Sequence, residues 1–278
     1  VNVVALIGSP VAHSLSPSIH RAAFATVPGE WAFVSFDVAA GRADAALESM
    51  RTLGIKGLAV TTPHKEEVAA YLDEVDVAAA ALRSVNTVAV TGDGHLIGYS
   101  TDGDGFVDGL CAEGVDPSGQ AVVVLGAGGA ARSIVEALGR ARADSIAVVN
   151  RTPSRSDAAS ALADVAVAGT LADIATADIV VNATSVGMGT HDSPLPAGTV
   201  CAHQVVVDIV YHPLETVLLA EGRAAGCRVV DGLTMLVHQA VRQQQLWTGT
   251  TPDASTLRAA AEAELVSRSA ADTTDTLR

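Results

Sequence analysis

Gln120 to Arg132 reads QAVVVLGAGGAAR, and it constrains the fold more than any other stretch. Val122 to Leu125 is an unbroken apolar run rich in β-branched side chains, as in a strand buried on both faces. Gly126, Gly128 and Ala131 follow at G-x-G-x-x-A spacing, and Ala130 to Leu138 reads as a helix. Each position has a physical reason. Gly126 allows a tight turn, Gly128 lets the backbone approach a pyrophosphate, and Ala131 lets helix and strand pack closely. The helix start, with Ala127, Gly129 and Ala130 around it, offers N–H groups and the positive end of the helix dipole to that pyrophosphate. Ser145 to Val149 supplies a second strand, so the stretch reads as the first turn of a dinucleotide-binding βαβ unit.

The residues after that second strand choose the dinucleotide. An NAD-binding unit usually has an acid here, bonded to the ribose 2′-hydroxyl. This chain has Asn150, Arg151, Thr152 and Arg155 instead. An arginine suits the 2′-phosphate of NADP, so NADP is the expected cofactor.

A chain of 278 residues has room for two ordinary domains. With 49% hydrophobic and 17% charged residues it reads as globular. A net charge of -14 without a basic stripe argues against nucleic acid as a partner. No apolar run is long enough to span a membrane, and Val1 to Ile7 reads as a first strand, lacking the flanks of a signal peptide. Cys111, Cys201 and Cys227 are scattered, which fits a reducing cytoplasm and neither a disulfide framework nor a zinc site. Only Lys56 and Lys65 among the 17 basic residues are lysines, so a required ammonium is worth seeking at those two places.

Along the chain, strands and helices alternate, the pattern of a parallel, doubly wound sheet. Val3 to Ile7 is followed by a loop in which Ser16 reads as a helix N-cap with Pro17 at the first helical position. Ser14 is then a surplus hydroxyl, and two hydroxyls beside a helix start suit a carboxylate or phosphate. After the short strand Gly57 to Thr61, His64 to Glu67 reads as the opening of a helix. Lys65 there faces the wrong end of a dipole and sits at a strand's C-terminal edge, where open α/β sheets place ligands. Thr91 to Gly94 is a hairpin turn, and Asp102 alone reads as an N-cap. Asp116 to Gly119 reads as a domain boundary. Thr184 and Ser185 lie in a loop after the strand Asp178 to Ala183. Gln239 is a polar group on the otherwise apolar face of a long helix. Pro252 to Val266 reads as a last helix and Ser267 to Arg278 as a loose polar tail.

Together these stretches resemble the shikimate dehydrogenase family, which includes quinate dehydrogenases, over nearly the whole chain. The resemblance is carried by GSPVAHSLSPSIH (8–20), VTTPHK (60–65), SVNT (84–87), STDG (100–103), GAGGAAR (126–132), NRTPSR (150–155), NATSVGM (182–188), DIVYHP (208–213) and GLTMLVHQ (232–239). Ala59 and Ser100 stand where the family commonly has Asn, and His64 where it has an apolar residue. The resemblance implies a two-domain α/β protein: a substrate domain of residues 1–102 and 232–278, and a Rossmann NADP-binding domain of residues 103–231. It implies reversible reduction of 3-dehydroshikimate to shikimate by NADPH, a step of aromatic amino-acid biosynthesis, with the substrate between the domains. Ser14 and Ser16 would hold the substrate carboxylate, with Tyr211 nearby. Thr61, Lys65, Asn86, Asp102 and Gln239 would surround the ring hydroxyls, and Lys65 and Asp102 would form the catalytic pair. The cofactor site would comprise Gly126 to Ala130, Asn150, Arg151, Thr152, Arg155, Thr184, Ser185 and Gly232. A monomer or homodimer is expected. A quinate or aminoshikimate dehydrogenase would look similar. A non-catalytic NADPH-sensing regulator would not need Lys65 and Asp102.

Overall fold

The computed structural model describes residues 1–275, apart from the side chains of 271–275. They form two compact units, Val1–Thr101 with the segment from Ala240 onward, and Asp102–Gln239.

The first unit is built on β1 (Asn2–Gly8), α1 (Ser16–Phe24), β2 (Trp31–Asp37), α2 (Ala43–Leu53), β3 (Gly57–Val60), β4 (Glu74–Val75), α3 (Val77–Leu82), β5 (Thr87–Val90) and β6 (Leu96–Tyr99). Its sheet runs β2-β1-β3-β5-β6-β4. β5 and β6 form the antiparallel hairpin that the Thr91–Gly94 turn predicts, but β5 is also antiparallel to β3, so this sheet is mixed where the alternating pattern predicts parallel strands. The turn after β5 is too short for the crossover that a parallel neighbour requires. Side chains alternate between two cores. Ala5, Ile7 and Leu58 pack with Leu47 and Met50 of α2, while Val4, Leu6 and Ala59 face the other way with Phe24 and Phe33. The two-residue β4 and the 3₁₀ turn Val68–Tyr71 carry no readable periodicity in the sequence.

The second unit comprises α4 (Asp102–Ala112), β7 (Ala121–Leu125), α5 (Gly129–Arg140), β8 (Ser145–Val149), α6 (Pro153–Ser160), β9 (Ala166–Ala168), β10 (Ile179–Asn182), β11 (Val205–Asp208), α7 (Val217–Ala224), β12 (Arg228–Val230) and the start of α8 (Gly232–Thr248). Its sheet is wholly parallel, in the order β12-β11-β10-β7-β8-β9. Strand order reverses between β7 and β10, the switch point at which such sheets bind ligands. Val122, Val124, Ile146 and Val181 pack against Phe106, Ile134 and Leu138 on one face. Val123, Leu125, Val180 and Val206 pack against Leu218 and Leu219 on the other. The Asp116–Gly119 break lies inside this unit, between α4 and β7, and marks no boundary.

The other division falls within α8, after Gln239. The remainder of α8 and α9 (Ala254–Asp275) belong to the first unit. The polar stretch from Ser267, read as a loose tail, continues α9 to Asp275, and residues 276–278 lie outside the described residues. Ion pairs at i,i+4 spacing, Arg258–Glu262 and Arg268–Glu264, support the helix where apolar residues are few. Among the described residues no helix is long and apolar enough to cross a membrane.

Trp247 of α8 completes the second core of the first unit. Its indole N–H donates to the Val88 carbonyl at 2.9 Å, and its ring lies 5.1 Å from His20 and 6.4 Å from Phe33. Trp247→Ala should cost about 3–5 kcal/mol. Trp247→Phe, which strands the carbonyl but keeps most of the volume, should cost roughly 1–3 kcal/mol. Urea unfolding of the three proteins checks both values.

Candidate active site

One edge of the first sheet gathers the candidate substrate residues of that unit. β1 and β3 are parallel and end together, with Ser9 N donating to Thr62 O at 2.9 Å. β5 runs the other way, so its start lies at the same edge, and Val60 N donates to Asn86 O at 2.7 Å. The loops carrying Ser14, Ser16, Thr61, Lys65 and Asn86 therefore share this edge.

Two local readings change. Ser16 is not the N-cap: it is the first residue of α1, and the capping side chain is absent at Leu15. Ser14 Oγ accepts from Ser16 N at 3.2 Å, so the hydroxyl read as surplus is the one that satisfies the helix start. His64 to Glu67 form turns, not the start of an α-helix. A single 3₁₀ turn follows, with no run of aligned peptides, so Lys65 faces no helix dipole. Half-buried Lys65 is instead fixed through its neighbours. Its carbonyl accepts from Val85 N at 2.7 Å. The fully buried His64 donates from Nε2 to Val38 O at 2.7 Å, and its Nδ1 lies 3.3 Å from Glu67 Oε2.

Asn86 is buried and built into a polar chain. Its Oδ1 accepts from Thr101 N at 2.8 Å and from Thr87 Oγ1 at 2.9 Å, while Nδ2 donates to Thr101 Oγ1 at 3.0 Å. Thr87 Oγ1 accepts from Gln243 Nε2 at 3.0 Å, and Gln243 Oε1 accepts from His20 Nε2 at 3.1 Å. Gln244 Nε2 donates to His20 Nδ1 at 2.9 Å, which sets the tautomer. The chain holds the peptide immediately before Asp102. His20, Gln243 and Gln244 carry no local signal in the sequence, because their partners lie over a hundred and fifty positions away.

In the second unit, Asp102 opens α4 and is buried. Gly105, one turn on, touches the backbone of Gln239: a Cβ there would lie 2.4 Å from Gln239 N. Asp102 and Gln239 are thus brought to neighbouring places by a contact that only glycine permits. Arg140 of α5 steadies α4, donating to Asp104 Oδ1 at 2.7 Å and to Glu136 Oε1 at 2.7 Å.

The C-terminal edge of the second sheet gathers the candidate cofactor residues. Gly126 takes φ +111°, and a Cβ would lie 2.9 Å from Ala183 O. Its N–H donates to Val149 O at 2.8 Å, so the loop from Gly126 to Ala130 stands beside the end of β8. Gly128 is the N-cap of α5 with no side chain capping it, and added Cβ atoms at Gly128 and Gly129 would meet nothing within 4 Å. An open, uncapped helix start of this kind fits a pyrophosphate. Asn150 Nδ2 donates to Thr152 O at 3.1 Å, and Arg151 and Arg155 are exposed on the same turn. Thr184 lies against Gly126, with Ser185 exposed beyond it. Behind this loop, buried Asn182 donates to Asp208 Oδ1 at 2.9 Å, and Thr216 Oγ1 donates to Asp208 Oδ2 at 2.8 Å. Burial raises the Asp208 pKa against these hydrogen bonds and that from Val210 N. Half-buried Tyr211 follows in the turn after β11. Gly232 fits under that turn, where a Cβ would lie 2.5 Å from the Ile209 and Val210 carbonyls. Its lack of a side chain is required by packing.

Three family models match the chain: "Shikimate dehydrogenase substrate binding domain" over residues 6–88, "Shikimate / quinate 5-dehydrogenase" over 112–190, and "Shikimate 5'-dehydrogenase C-terminal domain" over 232–262. Shikimate dehydrogenase (NADP(+)) of Moorella thermoacetica is 45% identical over 260 residues, covering 89% of this chain and 88% of the relative. The chain belongs to the shikimate dehydrogenase family. Among solved structures, shikimate 5-dehydrogenase of Thermus thermophilus, in complex with NADP(H) and shikimate, has a TM-score of 0.87 at 38% identity, covering 94% of this chain and 99% of that one. Quinate dehydrogenase of Corynebacterium glutamicum, in complex with NAD, has a TM-score of 0.87 at 33% identity, covering 93% and 98%.

Within this shikimate dehydrogenase fold, the buried His20 makes stability pH-dependent. Burial, partly offset by the hydrogen bond to Gln243, lowers its pKa from 6.5 to about 3. Between those values the unfolded chain binds a proton that the folded chain refuses. The stabilisation is therefore complete above the unfolded pKa and is lost as pH falls towards the folded one, by up to about 1.4 kcal/mol per pH unit. His20→Gln should be less stable at neutral pH but lose less on acidification. Urea unfolding of both proteins at several pH values from neutrality downward measures the difference in slope.

Proposed function

We propose that the protein catalyses the NADPH-dependent, reversible reduction of 3-dehydroshikimate to shikimate. The observation that carries this reading is the fixed Asn86–Thr101 pairing on the edge shared by Ser14, Ser16, Thr61 and Lys65, with Asp102 next in the chain. The second unit supports it with an uncapped helix start beside Arg151 and Arg155. Gly126 to Ala130 would bind the pyrophosphate, and Arg151 and Arg155, next to Asn150 and Thr152, the 2′-phosphate. Thr184, Ser185 and Gly232 would line the same cofactor site. NADPH supplies the hydride when bound.

Ser14 and Ser16 hold the ring carboxylate in this reading, with Tyr211 beside them. Thr61, Asn86 and Gln239 bond the ring hydroxyls and fix which carbonyl face is presented. The Lys65 ammonium donates a proton to the oxygen that becomes the new hydroxyl, and Asp102 orients that lysine and a neighbouring hydroxyl. In the reverse direction the lysine takes the proton back. Cys111, Cys201 and Cys227 form no disulfide, which fits work in a reducing cytoplasm.

Absorbance of NADPH, followed with NADP and shikimate, quinate or aminoshikimate in turn, tests the substrate. Turnover of shikimate well above the other two supports the reading, and preference for quinate replaces it. Lys65→Ala should lower kcat about 10²–10⁴-fold with a smaller change in KM. Lys65→Arg should restore little, because a guanidinium keeps its proton. Arg151→Ala should raise KM for NADPH by roughly 10- to 100-fold while leaving that for NADH nearly unchanged, as measured by steady-state kinetics with each cofactor.

A further inference from the structure

The loop that carries Ser14 and Ser16 is held from behind by α9. Arg268 donates from Nη1 to His13 O at 2.6 Å and from Nη2 to Ser14 O at 2.9 Å. Its Nε donates to Glu264 Oε1 at 2.8 Å, and the other Glu264 oxygen accepts from Ser18 Oγ at 3.0 Å. One ion pair thus grips two consecutive carbonyls before α1 and a hydroxyl in the first turn of α1. The hydrogen bonds from Arg268 and Ser18 hold the Glu264 carboxyl below the usual carboxylate range.

The Arg268 and Glu264 side chains are 31% and 33% exposed, so the pair adds little to global stability. Its effect is local. Within the loop, Ser14 N donates to Val11 O at 3.0 Å and Ser14 Oγ accepts from Ser16 N at 3.2 Å. These bonds shape the turn but do not fix it to anything else. The planar fork of Arg268 reaches adjacent carbonyls as an ammonium cannot. Arg268 also lies beyond residues 232–262, the part matched by the C-terminal family model.

We propose that Arg268, oriented by Glu264, is a positioning residue for the substrate carboxylate, fixing the His13–Ser14 backbone so that the Ser14 and Ser16 hydroxyls converge. This rests on the assignment of those serines above.

The test is calorimetric binding of shikimate and of NADP, separately, to the full chain. Arg268→Ala should weaken shikimate roughly 10-fold, as when one serine hydroxyl no longer meets the carboxylate, and leave NADP unchanged. Arg268→Lys should recover only part. In a Ser14→Ala/Ser16→Ala background, Arg268→Ala should add no further loss, because the arginine acts through the serines. Should Arg268→Ala fail to fold, Glu264→Gln, which keeps the shape and removes the charge, should give a smaller loss in the same direction. Wild-type shikimate binding by Arg268→Ala, equal losses for both ligands, or full additivity with the serine variant would overturn the proposal. If the double serine variant binds shikimate normally, the carboxylate assignment fails and the clamp with it. If that variant is weak while Arg268→Ala is normal, the clamp alone is wrong.

Discussion

The Asn86 carboxamide holds the Thr101 peptide and hydroxyl at 2.8 and 3.0 Å in a buried setting, and the polar edge of the first unit hangs on that pairing. An unpaired amide there would cost about 1–3 kcal/mol, so the strand ends have little freedom to separate. The pairing ties the start of β5 to the second residue after β6, and through Val60 N it ties both to β3. Asp102 follows Thr101 directly, so its backbone entry into α4 is defined by the bond to Asn86, whose neighbour Val85 donates to the Lys65 carbonyl. Mixed strand directions make this possible. Had β5 run parallel to β3, its first residue would lie at the far edge of the sheet.

The second unit answers to a different constraint. Its parallel strands all end on one side, and their terminal groups must be satisfied by loops or a ligand. Gly126 permits the approach of the β7 and β10 ends, and Asn182, Asp208 and Thr216 hold the outer loops by side chains. The starts of α5 and α6 carry no side-chain cap, and that of α5 follows the glycine loop at the end of β7. A helix start without a side-chain cap, held in fixed surroundings, is the kind of place where an anion binds with little reordering.

The legible parts of the molecule were those written locally. Gly126, Gly128 and Ala131 announce a strand, a turn and a helix within thirteen residues, and the structure has β7, the loop and α5 there. The arginines after β8 stand on the same turn as the sequence places them. Signals that depend on distant partners were not legible. The turn at Lys65 looks helical by composition, but Val38 and Val85 hold it as a turn. Gln239 was visible as a polar residue on an apolar helix, whereas Gln243 and Gln244 acquire meaning only from His20. The stretch after Val266 reads as loose on polarity alone. Arg268 ties it down, through an i,i+4 ion pair with Glu264 and hydrogen bonds to carbonyl groups near the opposite end of the chain.

The half-buried turn at Lys65 has a practical consequence. Lys56 is exposed, and no other lysine exists in the chain. Acylating reagents selective for lysine side chains thus have two targets, one on the outer surface and one beside the polar edge of the first sheet. Modification at Lys56 serves as an internal reference, and shielding at Lys65 reports occupancy of that edge by any small molecule. Because arginine carries nearly all the positive charge elsewhere, the protein comes with its own nearly site-specific handle, without an engineered residue.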